Sequence, residues 1–184
     1  SIGNVIHPKD IVEKYSADVF RYYFLRHVPS FDDGDFSWEK LEEAYNNELA
    51  NELGNAVQRT SAMIKQYQNG ITGEIPESSH DVAQYWEAIE NCRFDRALDE
   101  VWEQVRGLNQ YIEETKPWDI NKRGDVDHLR EVLAYQVSCL LEIAELIEPF
   151  MPETSTKIRH VFEEGVVRPV EGTLFPRHDL QVKQ

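Results

Sequence analysis

Apolar residues recur at three- and four-residue intervals over most of this chain, and strict alternation is nearly absent. That periodicity predicts helices. Residues 9–15 (KDIVEKY) make one or two amphipathic turns. Ser16 is placed to cap a second helix, ADVFRYYFLRHV, with Asp18 in its first turn, where the helix dipole favours negative charge. Pro29 and SFDDGD end this unit, with short strands expected at NVI and FDDGDFS. Ser37 then opens a helix of about thirty residues, closed by Asn69-Gly70. After the loop ITGEIPESS come SHDVAQYWEAIENC and FDRALDEVWEQVRGLNQYIEETK, the second stopped by Pro117. NKRGD reads as a loop. VDHLREVLAYQVSCLLEIAELIE is apolar nearly all round toward its end and is expected at the centre. PFMP breaks it, ETSTKIRHVFEEG is the last helix, and a Pro-punctuated tail ends the chain. Long helices on short connections predict an all-α antiparallel bundle.

On the long helix, Leu41, Tyr45, Leu49, Leu53, Ala56, Thr60, Met63, Ile64 and Tyr67 fall on one stripe, the core face. Asn51, Asn55 and Arg59, each four apart, line up on another stripe that points mostly away from it. Gly54 lies beside them. Gly and Asn both weaken a helix interior, so their presence there marks a surface that something approaches closely, or else an ordinary solvated face. Trp118 poses a similar choice. Pro117 fixes its entry and polar residues surround it, so the indole is either a packing group or an exposed platform. Trp38, Trp86 and Trp102 sit within apolar helical patterns and are expected in the core.

Composition narrows the picture. A hydrophobic content of 41% suffices for a sizeable core, and no apolar run approaches the ~20 residues that span a membrane. No secretory signal is apparent at the N-terminus, and the chain opens without Met, as expected for a piece of a longer protein. Cys92 and Cys139 are far apart and read as reduced thiols of a cytoplasmic protein; the six histidines are scattered, and no metal site is expected. The net charge of −15 argues against generic nucleic-acid binding through phosphate neutralisation. Any nucleic-acid contact should be local, by stacking on unpaired bases.

Several segments resemble methionyl-tRNA synthetases, a family of class I aminoacyl-tRNA synthetases. SIGNVIHP is similar to the end of the KMSKS loop together with the family's next few residues, Ser1 being the last Ser of that signature. YSADVFRYYFLRHVPSFDDGDFS resembles the linker after the loop, YNNELANELGNAVQR the first anticodon-domain helix, and YIEETKPWDINK the K-P-W turn; EPFMPETSTKI and LFPR match as well. The resemblance implies a stem-contact segment (1–35) and a helical anticodon-binding domain (36–184). It implies that Trp118 stacks on the first anticodon base and that Asn55 and Arg59 hydrogen-bond to anticodon bases, with Asn51 one turn earlier. Pro117 would rigidify the turn. Lys116, Lys122, Arg123, Arg21 and Arg26 become candidate contacts to the tRNA backbone, alongside Lys9 and His27. The family's ATP- and Mg-dependent catalytic domain, with its H-I-G-H-like motif, is absent, so no catalytic residue and no cofactor are expected in this segment. The partners implied are tRNA and the missing N-terminal catalytic domain. The alternatives are a class I synthetase for isoleucine, valine, leucine or cysteine, or a helical interaction module with no RNA role.

Overall fold

A computed structural model describes residues 7–28, 36–78, 80–169 and 172–176. Ser1 and both expected strand segments, apart from Phe36 and Ser37, lie outside these residues. The described residues form helices α1 (Pro8–Lys14), α2 (Ala17–His27), α3 (Trp38–Ala44), α4 (Asn55–Gln68), α5 (Ala83–Glu90), α6 (Phe94–Thr115), α7 (Pro117–Arg123), α8 (Val126–Ile147) and α9 (Pro152–Phe162). The only extended pairing among them is an isolated antiparallel bridge, Ile71 to Val166.

Local sequence explains most of the boundaries. The Ser16 hydroxyl accepts the Val19 N–H at 3.2 Å, and the Ser37 hydroxyl accepts the Lys40 N–H at 3.1 Å. Each satisfies one of the donors a helix start leaves free. Asn69, left-handed at φ 54°, closes α4. The expected loop at 121–125 is mostly helix. Pro117 stops α6 and also occupies the first position of α7, while Gly124 at φ 74° ends α7 and Asp125 caps α8. Pro just inside a helix start and Gly just past its end is the usual asymmetry of such a unit.

The thirty-residue helix is continuous but not uniform. Between α3 and α4, residues Tyr45–Gly54 are wound as a π-helix, and the Asn55 N–H closes back on the Ala50 carbonyl, five residues earlier. The expected core face survives this: Leu41, Leu49, Leu53, Ala56, Thr60 and Ile64 are all at most 1% exposed. Buried Val57 and Ser61 widen the stripe.

α8 packs against α9, α6, α7 and α4, and contributes thirteen buried residues. α2 lies on α6 and reaches α9. There Asp18, 1% exposed, accepts the Thr154 N–H at 2.7 Å and its hydroxyl at 2.9 Å. A side chain from α2 thus caps the first turn of α9.

Trp102 is fully buried, under Tyr22 and the Arg26 guanidinium. Trp38 is partly buried at the edge of the core. Trp86 overturns the expectation: its residue is 51% exposed. Tyr85 takes the inward position on α5, donating to the Leu146 carbonyl at 2.8 Å, and the next residue points about 100° away.

Candidate functional site

The end of α6 sets the geometry. Lys116 is left-handed (φ 46°, ψ 66°), a conformation that costs a side-chain-bearing residue energy, and it turns the chain sharply into α7. Two local bonds hold the turn: the Lys116 N–H to the Ile112 carbonyl at 3.1 Å and the Thr115 hydroxyl to the Tyr111 carbonyl at 2.6 Å. Pro117 is buried beneath it. Trp118 comes next, partly buried, its ring resting on the core without being enclosed by it.

α4 supplies the facing group. The Arg59 guanidinium lies 5.7 Å from the centroid of the Trp118 ring and 2.7 Å from a Glu113 carboxylate oxygen on α6. Arg59 is therefore held between an aromatic surface and a carboxylate, and both partners sit on elements adjoining the Lys116 turn. Glu113 did not figure among the sequence candidates. Its signal is its place in the same EETKPW run, five residues before the tryptophan.

Asn55 lies one helical turn before Arg59 on α4, about 6 Å along the axis. Its side chain borders a hollow of about 350 Å³ bounded also by Ala50, Gly54, Gln58 and the tail residues Thr173, Leu174 and Phe175. The close approach marked by Gly54 is internal to the chain. A Cβ there would sit 3.4 Å from the Phe175 ring and 3.1 Å from the Leu49 carbonyl. Asn51 lies about one turn before Asn55, within the π segment, whose bonds close at five residues.

The candidate cations part company. Lys116 and Arg123 are exposed, two residues before and five after Trp118, and Lys122 is paired with Asp119 at 3.2 Å. Arg21 is exposed and bonded to Asp18 at 3.3 Å. Lys9 pairs with Glu13 at 3.5 Å. Arg26 is a correction: its side chain is only 7% exposed, bonded to Tyr22, Glu48 and Asp99 and laid over Trp102. It is a structural cation, with no face left for a phosphate. His27 joins the same knot through Glu48 at 2.8 Å. Burial pushes the Glu48 carboxyl up, but hydrogen bonds from His27 and Tyr22 and the charge of Arg26 outweigh it and hold the group below its ordinary value. Among the described residues no three His, Cys, Asp or Glu side chains converge as metal ligands would.

A partly exposed indole on a rigid turn, faced by a guanidinium, with amides one turn away, offers a flat apolar surface and directional donors. Unpaired bases are bound by this chemistry. Comparison with known proteins gives the class. The family model "tRNA synthetases class I (M)" matches residues 1–61, and "Anticodon-binding domain of tRNA ligase" matches residues 77–175, more than half of the chain. The bundle is thus that of a class I tRNA ligase. The relatives narrow it further. Methionine–tRNA ligase of Thermotoga maritima is 36% identical over 177 residues, covering 89% of this chain and 28% of that protein. The enzyme of Caldanaerobacter subterraneus subsp. tengcongensis is 41% identical over 173 residues, covering 86% of this chain and 27% of its own. The crystal structure of Mycobacterium tuberculosis methionyl-tRNA synthetase bound by methionyl-adenylate superposes with a TM-score of 0.84 at 26% identity, over 96% of this chain and 41% of that one. The chain belongs to the methionyl-tRNA synthetase family, as its C-terminal, anticodon-binding region. It spans about a quarter to a third of the length of the curated relatives it matches, 27–34%.

Proposed function

We propose that this region reads the methionine anticodon, CAU, on behalf of an enzyme that joins methionine to tRNA using ATP. The observation that carries the reading is the Arg59–Trp118 pair, 5.7 Å from guanidinium to ring centroid on two different helices. The indole covers the face of the first anticodon base. Stacking is blind to base identity, so Arg59 and Asn55 supply the contacts to its Watson–Crick edge. In the free protein Glu113 holds Arg59 beside the ring, and base binding exchanges part of that ion pair for a base edge. Pro117, seated in the core, limits the ordering cost of fixing the ring. Lys116, Lys122 and Arg123, within five residues of Trp118 in sequence, are the candidate backbone contacts; Arg21, on α2, remains a candidate for the stem.

On the same reading residues 1–35 meet the tRNA stem and 36–184 the anticodon. Methionine and ATP, with Mg, are substrates and cofactor of a catalytic domain that this segment does not include, in a cytoplasmic enzyme. The segment alone should give no methionine-dependent ATP–pyrophosphate exchange above an enzyme-free control.

The test is binding of the 184-residue chain to a 17-nucleotide hairpin of the CAU anticodon arm, against hairpins with the first or third anticodon base changed. The parent chain should prefer CAU. Arg59→Ala and Asn55→Ala should flatten the preference more than they weaken binding overall. Equal affinity for all hairpins in the parent chain would refute the proposal.

A further inference from the structure

A second hollow runs along α6, where the loop before α5 and the middle of α8 come up to it, and Asn55, Arg59, Glu113 and Trp118 take no part in its lining. Its volume, about 430 Å³, falls within the roughly 300–1,000 Å³ of small-molecule pockets. Tyr111 of α6 and Tyr135 of α8 meet in its wall, their ring centroids 4.7 Å apart. Four carboxylates border it, those of Glu100, Glu103 and Glu114 on α6 and of Asp81 in the loop. Glu103 and Glu114 are about 16 Å apart along the helix axis. The Gln110 amide donates to Glu114 at 2.7 Å, a neutral contact that leaves the charge intact. Gln104 also lines the hollow, and its Oε1 is buried with no hydrogen-bond partner among the described residues. Gly107 lies between the two acidic ends. Glycine is a weak choice in the interior of a 22-residue helix, and a Cβ built there would meet no atom within 4 Å. Packing within the described chain does not call for glycine at 107; its effect is to keep the hollow open midway along its length.

We propose that this hollow binds an elongated organic polycation, a linear polyamine, with one ammonium group at the Glu100–Glu103 end, another at Glu114, and the methylene chain between them laid over Tyr111 and Tyr135. Each part of the lining meets a part of that ligand. Ammonium groups only donate, and carboxylates only accept. The face of a tyrosine ring attracts a cation and covers apolar methylenes equally well. The buried Gln104 Oε1, costly while unpaired, gains an N–H donor from an internal amine. Gly107 lets the chain lie close to helix backbone. The carboxylates are strung along a helix instead of converging on a point, which suits separated ammonium groups and not a single metal ion. The net charge of −15 draws polycations toward the chain from all sides, and the hollow fixes where one settles. The inference stands apart from anticodon reading, since the two sites share no lining residue.

The test is calorimetric titration of the 184-residue chain with spermine in 150 mM KCl, with melting temperature measured on every variant. One saturable site is expected. Gly107→Leu puts a side chain into the open middle of the hollow and should weaken binding by about tenfold or more without lowering the melting temperature, since leucine is the better helix former. Glu103→Gln with Glu114→Gln removes one charge from each end and should weaken binding by about five- to tenfold, the scale of two exposed ion pairs. Glu39→Gln with Glu153→Gln makes the same change in net charge outside the hollow and should leave affinity within about twofold of the parent, as substitutions remote from a site do. Two dications of equal charge separate a fitted site from a diffuse counterion cloud. 1,12-Diaminododecane reaches both ends and should bind; 1,3-diaminopropane does not and should bind at least about tenfold more weakly, the worth of an end contact with the chain that leads to it. Equal affinity of the two diamines, or equal losses in the two double variants, would mean attraction by net charge alone and would overturn the proposal. Parent-level affinity in Gly107→Leu would overturn it as well. Should Gly107→Leu prove unfolded, the two double variants and the diamine pair decide. Hairpin binding is measured separately, so neither result bears on the anticodon site.

Discussion

Replacing Trp118 with leucine removes the aromatic face and keeps most of the apolar bulk. Loss of a base stack costs roughly 1–3 kcal/mol of binding. At 1.4 kcal/mol per tenfold, that is a loss of about 5- to 150-fold in affinity for the CAU hairpin. Stability should respond differently. The ring is partly buried against the core, so some cost is unavoidable, and the Arg59 contact adds roughly 0.5–1 kcal/mol at an exposed site. Leucine recovers much of the packing, so about 1 kcal/mol should be lost, or 2–4 °C in Tm for a chain of this size. Two other tryptophans calibrate the scale. Trp102→Ala deletes an enclosed ring and should cost about 3–5 kcal/mol. Trp86→Ala, at a residue 51% exposed, should stay within about 0.5 kcal/mol. Hairpin affinity by fluorescence anisotropy and thermal melting by far-UV circular dichroism, on the same three variants, give both axes. If Trp118→Leu melts as early as Trp102→Ala yet binds the hairpin like the parent at a temperature where it is folded, the indole is packing alone and the stacking role is refuted.

Asp18→Ala strands two buried donors of Thr154, each worth about 1–3 kcal/mol, so denaturant unfolding should show a loss of about 2–5 kcal/mol while Asp18→Asn recovers part of it. Glu48 has a depressed carboxyl, so its contribution is complete above the ordinary carboxylate value of 4.5 and is lost as pH falls through its lower folded value. Glu48→Gln should therefore lower Tm near neutrality and flatten its decline as pH falls below about 4.5; an acid limb parallel to the parent's would contradict the assignment.

The long amphipathic helices and the central α8 were legible because their burial can be read from periodicity alone. So was the Trp118 turn, because proline and a neighbouring indole are constrained by local chemistry whatever packs around them. Four features were not. The π segment has no signature in a pattern read at 100° per residue. α7 was hidden by its length, although Pro117 and Gly124 mark its two ends. Arg26 has the sequence context of a surface cation at a helix end; its burial depends on Glu48, Asp99 and Trp102, which lie 22 to 76 residues away. Phe175 closes one wall of the Asn55 hollow from the irregular tail, where periodicity carries no information.

The charge distribution gives the last expectation. A chain at −15 can hold RNA only where its own acids do not compete. Residues 36–184 alone carry 15 basic and 28 acidic side chains. Many of the basic groups are already engaged, Arg26 with Glu48 and Asp99, Arg59 with Glu113, Lys122 with Asp119, Arg159 with Glu148. Near Trp118 in sequence, Lys116 and Arg123 have no ion-pair partner among the described residues, with Lys122 available on exchange. Each phosphate neutralised on single-stranded RNA contributes about −0.7 to the slope of log K against log salt. Two or three contacts therefore give a slope of about −1.5 to −2. Hairpin titrations between 50 and 300 mM KCl measure it. A slope near −5 would mean that phosphate neutralisation dominates, and the stacking and edge contacts of Trp118, Arg59 and Asn55 would no longer account for the affinity. A shallow slope, coupled to a large loss in Trp118→Leu, is what an acidic domain that reads bases must show, since its affinity has to come from ring faces and hydrogen bonds that salt does not screen.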